Sequence, residues 1–424
     1  MKNLPSLLRL IASLVISLGG VLSLCETCLA ESPSSNSWER FRGHNGSGVL
    51  TECNVAIPWS QSQVQRVELP GSGHGSPVIY GGMAFLQSAD PESADRHVVG
   101  IDLEKNSIAW KRGFPSKKHG LHKFSSYASS TPFVDDKSVY VLWAEPENVV
   151  VKAMTHTGEE RWTRTLGRYV SQHGFGTSPI VVDGKLIFLN SQDALQLPPG
   201  VEPGQDRMIA LDTESGKIVW ETPLPTSQVC YGVPCVRTVN GKPELICSTT
   251  GQGMFAMDPS NGKILWSHDC FKQRVCASAY LVGDVLVSSQ GSGGGKDNYL
   301  VALDINKKQE LFRFKSGSPY VPTPVSKDGL LFLWSDAGIV SCVELLTGET
   351  VWKERIGGDH SSSPVIIGTK IINTSHDGVV TILAASRKFE KLGTIETNKT
   401  VRSTIAADKY KVLLRTDNEL LIIR

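Results

Sequence analysis

Three histidines, two arginines, two tyrosines and a serine hold one recurrent place in this 424-residue chain. Each of His74, Ser129, His173, Tyr231, Arg274, Tyr320, His360 and Arg402 stands a few residues ahead of a short apolar run. Imidazole changes charge near neutrality and both donates and accepts hydrogen bonds. Guanidinium is a permanent cation whose planar fork matches a carboxylate. Brought to one funnel, such groups make a ligand site with positive character, suited to a carboxylate or another anion. The competing reading is that they bond one another and water and simply fill a channel. None of the eight is Asp or Glu, so the set lacks a carboxylate base and oxygen ligands for calcium. It reads as a binding set, with no catalytic residue and no metal ligand assigned.

Other chemistry-bearing stretches read more plainly. Gly291-Ser292-Gly293-Gly294-Gly295-Lys296 has Gln290 and Asp297 where a phosphate loop needs Gly and Ser/Thr, so it reads as a flexible connection. His119 and His122, flanked by Lys117, Lys118 and Lys123, could bind an anion or a metal but read as a solvated basic loop. Gln192 and Asp193 read as loop anchors rather than cation ligands. Cys230, Cys235, Cys270 and Cys276 cluster in the chain, so a disulfide among them is expected in an oxidising compartment. The cysteine spacing fits no zinc template.

The elements that must position the eight residues are repeats. Ile101-Asp102 to Trp110, Leu211-Asp212 to Trp220 and Met257-Asp258 to Trp266 share one spacing across a tight turn such as Glu214-Ser215-Gly216-Lys217. Leu303-Asp304 to Phe312 and Val343-Glu344 to Trp352 are variants, and Met154 to Trp162 is shorter. Upstream lies a second signature: Ser76-Pro77, Thr131-Pro132, Ser178-Pro179, Thr323-Pro324 and Ser363-Pro364, with degenerate copies at Val233-Pro234, Ser278-Ala279 and Ser403-Thr404. The openings fall at 77, 132, 179, 234, 279, 324, 364 and 404, which is 40–55 residues apart. Each unit holds four short strands and no helical periodicity. That period marks an all-β, eight-bladed β-propeller. The last unit ends at Arg424 one strand short, and Gln65–Pro70 resembles the outer strand at Trp220–Pro225. The N-terminal strand is therefore expected to complete the last blade.

Composition bounds the rest. With 43 Lys+Arg against 42 Asp+Glu the net charge is +1, which argues against a nucleic-acid partner. Lys2 and Arg9, the apolar run Leu10–Leu24 and Cys28-Leu29-Ala30 read as a signal peptide cleaved after Ala30. Cys25 is preceded by Leu24, a poor residue for lipidation, and the Cys25/Cys28 pair lies in the segment expected to be removed. The chain then divides into a signal peptide at 1–30, an N-terminal segment at 31–60 and the propeller at 61–424. It is expected to be exported, periplasmic or secreted, monomeric, and without a membrane span once cleaved.

The repeat at Ala210–Trp220 resembles the tryptophan-docking repeat of quinoprotein (PQQ-dependent) dehydrogenases, of the outer-membrane assembly lipoprotein BamB and of many exported bacterial propellers. The opening Trp38–Gly48 and the stretch Ser171–Pro179 resemble the last group, as does the Gln192–Asp193 pair. The resemblance covers residues 38–424 and implies the fold far more than an activity. It implies a non-catalytic binding or scaffolding propeller, with a protein or a small anionic ligand as partner and no cofactor. The alternatives are an oxidoreductase with PQQ and calcium in the channel, and a carbohydrate-binding surface propeller. The dehydrogenases are usually longer, and several carry a disulfide between adjacent cysteines, which this chain lacks.

Overall fold

The computed structural model describes residues 37–195 and 197–424. The expected signal peptide, its cleavage site and the Cys25/Cys28 pair lie outside them. Eight antiparallel sheets follow one another along the chain, at 78–114, 133–165, 180–223, 235–268, 280–314, 325–355, 365–396 and 406–423. These are blades 1 to 8, and they form the expected eight-bladed β-propeller. The eighth holds only three strands of its own. Val64–Glu68 supplies the fourth, pairing antiparallel with Glu419–Ile423 in a register from Val64 opposite Ile423 to Glu68 opposite Glu419. The ring closes where sequence likeness places the closure.

The burial pattern explains why blades must stack. In blade 2 the middle strands Val139–Ala144 and Val149–Met154 are buried at every position, while the outer strand Glu160–Thr165 buries only Trp162. A sheet buried on both faces needs a neighbour on each. The recurrent aromatic bridges them. Trp162 Nε1 donates to Thr213 O of the next blade at 2.9 Å, Trp220 Nε1 to Pro259 O at 3.0 Å, and Trp110 Nε1 to His156 O at 2.7 Å. The turn glycine of the next blade lies under the ring. Gly216 has φ +65, and a Cβ there would stand 2.5 Å from Trp162. Both the turn and the docked indole therefore require glycine.

The Ser/Thr of each opening signature does a different job. The backbone N–H of Ser76 donates to Thr131 Oγ1, Thr131 to Ser178 Oγ, Val233 to Ser278 Oγ, Ser278 to Thr323 Oγ1, Thr323 to Ser363 Oγ, Ser363 to Thr404 Oγ1, and Thr404 back to Ser76 Oγ. These bonds are 2.9–3.1 Å long and form a belt around the inner strands, open only where Val233 replaces a hydroxyl.

Residues 38–50 cross the middle of this ring. Trp38 bridges to Ile79 of blade 1, Glu39 O accepts from Val134 N of blade 2, and Arg40 Nη2 donates to Pro234 O before blade 4. Arg42 is fully buried and donates to the carbonyls of Thr323, Pro324 and Pro364, at 3.0, 2.7 and 2.8 Å. A Cβ on Gly48 would stand 2.6 Å from the Arg42 guanidinium, and Gly48 has φ +65. Val49–Leu50 then adds a parallel strand inside blade 7, against Val365–Ile367. This segment is a plug that ties five blades together.

The expected disulfide is not formed. Cys230, Cys235, Cys270 and Cys276 are all free thiols, as are Cys53, Cys247 and Cys342. Cys230 instead hydrogen-bonds Thr250 Oγ1 at 3.2 Å, and burial pushes the Cys235, Cys270 and Cys276 thiols up to about 12. They behave as small buried side chains.

Candidate functional site

All eight residues at the leading ends of the inner strands line one cavity of about 810 Å³. The belt residues Ser76, Thr131, Ser178, Ser278, Thr323, Ser363 and Thr404 line it too, and Phe41 of the plug closes its deep end. Each blade contributes because each inner strand starts at the same height. The volume falls in the range typical of small-molecule sites.

Two arginine–histidine pairs define its electrostatics. Arg274 Nη1 lies 2.9 Å from His173 Nε2, and Arg402 Nη1 lies 3.2 Å from His376 Nε2. A guanidinium only donates, so each Nε2 accepts and each imidazole is neutral with its proton on Nδ1. Desolvation, then the neighbouring guanidinium, pushes His173 and His376 down to about 4. Ser361 Oγ donates to the same His376 Nε2 at 2.7 Å. His74 is pushed down to about 3 by burial, with Arg402 and Arg415 adding to it.

His360 is 2% exposed, packs against the Trp334 ring at 5.3 Å, and meets the Gly358 backbone. Burial, then His376, pushes it down to about 4. Tyr231 reaches Ser171 Oγ and Gly174 O at 3.4 Å, and Ser129 bonds Ser126.

Two carboxylates near the cavity are engaged by the chain, while Asp359 in the lining is exposed. Asp336 takes the backbone N–H of Tyr320 on Oδ2 at 2.7 Å and that of Val321 on Oδ1 at 3.1 Å; burial pushes its carboxyl up to about 6. Asp193 accepts from Val229 N and Gln172 N and lies 3.6 Å from Arg274. Gln192 Oε1 accepts from Val170 N at 3.0 Å. The Gln192–Asp193 pair thus holds the loop that carries His173.

Several cavity residues lie outside the eight. His376 and Asp336 follow the second strand of their blades as Ser375-His376 and Ser335-Asp336, and that shared Ser-plus-ionisable step, repeated at Thr416-Asp417, is the signal that marks them. The basic loop departs from its expected solvated state in part. His122 packs against His173 with ring centroids 4.7 Å apart and the rings tilted by 57°, and the Phe124 ring lies 5.1 Å from the Arg402 guanidinium. The loop therefore crosses the cavity mouth from blade 3 towards blade 8. His119 stays outside it, packed on Tyr127. Gly293 of the glycine run also borders the cavity, and no helix follows that run.

The arrangement offers donors and few free acceptors. Among the described residues no cluster of three His, Cys, Asp or Glu could hold a metal ion.

Comparison with known proteins places this architecture. The sequence family described as outer membrane protein assembly factor BamB matches residues 146–306 and 296–424. No curated protein matches. Among solved structures, BamB from Moraxella catarrhalis is 17% identical, over 85% of this chain and 98% of that one, with a TM-score of 0.61. A europium-containing methanol dehydrogenase is 12% identical over 90% of each chain, with a TM-score of 0.66. A quinohemoprotein alcohol dehydrogenase from Comamonas testosteroni is 10% identical over 93% of this chain and 81% of that one, also at 0.66. At these identities the likeness is one of fold.

Proposed function

This chain belongs to the family of the outer membrane protein assembly factor BamB, and we propose that it is an exported, non-catalytic binding module whose central cavity holds a small anionic ligand. The observation that carries the reading is the pairing of Arg274 with His173 and Arg402 with His376. In each pair the histidine is neutral, so the positive charge has no carboxylate partner in direct hydrogen bond. A ligand carboxylate supplies that partner, through charge-assisted bonds stronger than neutral ones. Asp193 faces Arg274 at 3.6 Å, and Asp417 and Asp359 act on Arg402 through space without a hydrogen bond to it. No helix among the described residues is long and apolar enough to cross a membrane.

The quinone reading shares the cationic cavity. Its calcium ion does not fit the lining, because among the described residues no three His, Cys, Asp or Glu come together to hold a metal ion. The test is twofold. Titration with small organic acids should give saturable binding that weakens at Arg274→Gln and Arg402→Gln. Added PQQ and calcium should give no dye-linked oxidation of alcohols or sugars; turnover lost on Arg274→Gln would reverse the reading.

A further inference from the structure

Resting on the anionic-ligand reading, we infer that the ligand is an acidic sugar, its carboxylate held by Arg402 and its ring laid on Phe124. Phe124 is 55% exposed at the cavity, with the Arg402 guanidinium over its ring at 5.1 Å and the Lys123 ammonium at 4.8 Å. The ring surface those two cations leave exposed is an apolar edge that a ligand held by Arg402 would meet. A simple inorganic anion or a small polycarboxylate answers the charge and leaves that edge uncovered. A uronic acid answers both, since its C–H face is apolar and its carboxylate projects from the ring edge.

The interior agrees with a hydroxylated ligand. His360 is buried in the lining, where its ring meets the Gly358 backbone and no side-chain hydrogen-bond partner. A neutral imidazole offers one donor and one acceptor, which is the complement of a hydroxyl group. The belt oxygens of Ser76, Ser363 and Thr404 border the same space. Each has accepted one backbone N–H and keeps its own O–H to give. An aromatic acid would stack on Phe124 equally well but would leave His360 and these hydroxyls without a ligand partner. The cavity of about 810 Å³ exceeds one sugar ring and suits an oligomer of two or three.

The experiment is calorimetric titration of the full chain with trimers of galacturonate, glucuronate and mannuronate. Their methyl esters, citrate and benzoate serve as comparators. At least one acidic trimer should bind, and its ester should bind about 10–100-fold more weakly, the effect of losing a charge-assisted hydrogen bond. Phe124→Ala should weaken the trimer about 3–10-fold, the worth of a modest stacking contact, and leave citrate unchanged. Arg402→Gln should weaken both, with Arg402→Lys recovering part; unchanged melting temperatures show that the variants fold. Citrate or benzoate binding with no trimer bound, or an equal loss for citrate at Phe124→Ala, overturns the sugar assignment while the anion reading stands. No anion bound at all overturns both.

Discussion

Thr404 donates its backbone N–H to Ser76 Oγ at 2.9 Å, although 328 positions separate the two residues. That bond joins the last blade to the first inside the ring, as Val64–Glu68 joins them near the outside. The propeller is thus latched twice. Ser76→Ala leaves a buried N–H without its acceptor, at a cost of about 1–3 kcal/mol. Urea denaturation should show that loss with an unchanged slope. A loss below about 0.5 kcal/mol would mean the belt is incidental geometry.

Arg42 makes a sharper case. Its guanidinium reaches carbonyls at the openings of blades 6 and 7 from a segment near the N-terminus. Arg42→Met keeps most of the volume but strips three buried carbonyls of their donor. The expected cost is at least about 3 kcal/mol, given that hydrogen bonds to charged groups contribute about 1.5–3 kcal/mol each. Thermal melting of the variant checks it, and a melting temperature matching the parent would mean the plug does not hold the ring.

The histidines give a spectroscopic prediction. At pH 7, nitrogen-edited NMR should find His173 and His376 neutral, with the proton on Nδ1, and neither should titrate above about pH 5. The sign of the linked stability follows. A histidine whose folded pKa is depressed binds fewer protons folded than unfolded, so its stability contribution is full above about pH 6.5. That contribution is lost as pH falls towards 4, the folded value of His173, His360 and His376. Asp206 and Asp336, whose carboxyls burial pushes up to about 7 and about 6, act with the opposite sign and favour the fold at lower pH. The NMR titration separates these effects, whereas a bulk stability curve adds them together. A His376 signal titrating near 6.5 would contradict the Arg402 pairing.

The parts of this structure legible in the sequence are those written in repeats. Gly216 and Trp162 mark one inter-blade contact, Ser76-Pro77 and its copies mark the inner strands, and Gln65–Pro70 shows the missing outer strand by likeness to Trp220–Pro225. The eight cavity residues could be read because a ring sets equivalent positions at equal height. The plug could not, since Arg42 finds partners 281–322 residues away and has no periodic counterpart. Phe124 and His122 sit on a connection of irregular length, whose path depends on His173 and Arg402 rather than on local pattern. Asp336 was missed for a related reason: it belongs to the turn after a second strand, a place the opening signature does not mark.

The central claim is that the cavity binds an anion through Arg274 and Arg402. The most direct measurement is calorimetric titration at pH 7 of the parent and of the Arg274→Gln/Arg402→Gln double variant, with one panel of organic and sugar acids. The prediction is saturable one-to-one binding of at least one acid, weakened about 100-fold or more in the double variant, the loss of two charge-assisted hydrogen bonds. Binding that survives in the double variant, or a parent that binds none of the acids, would contradict it.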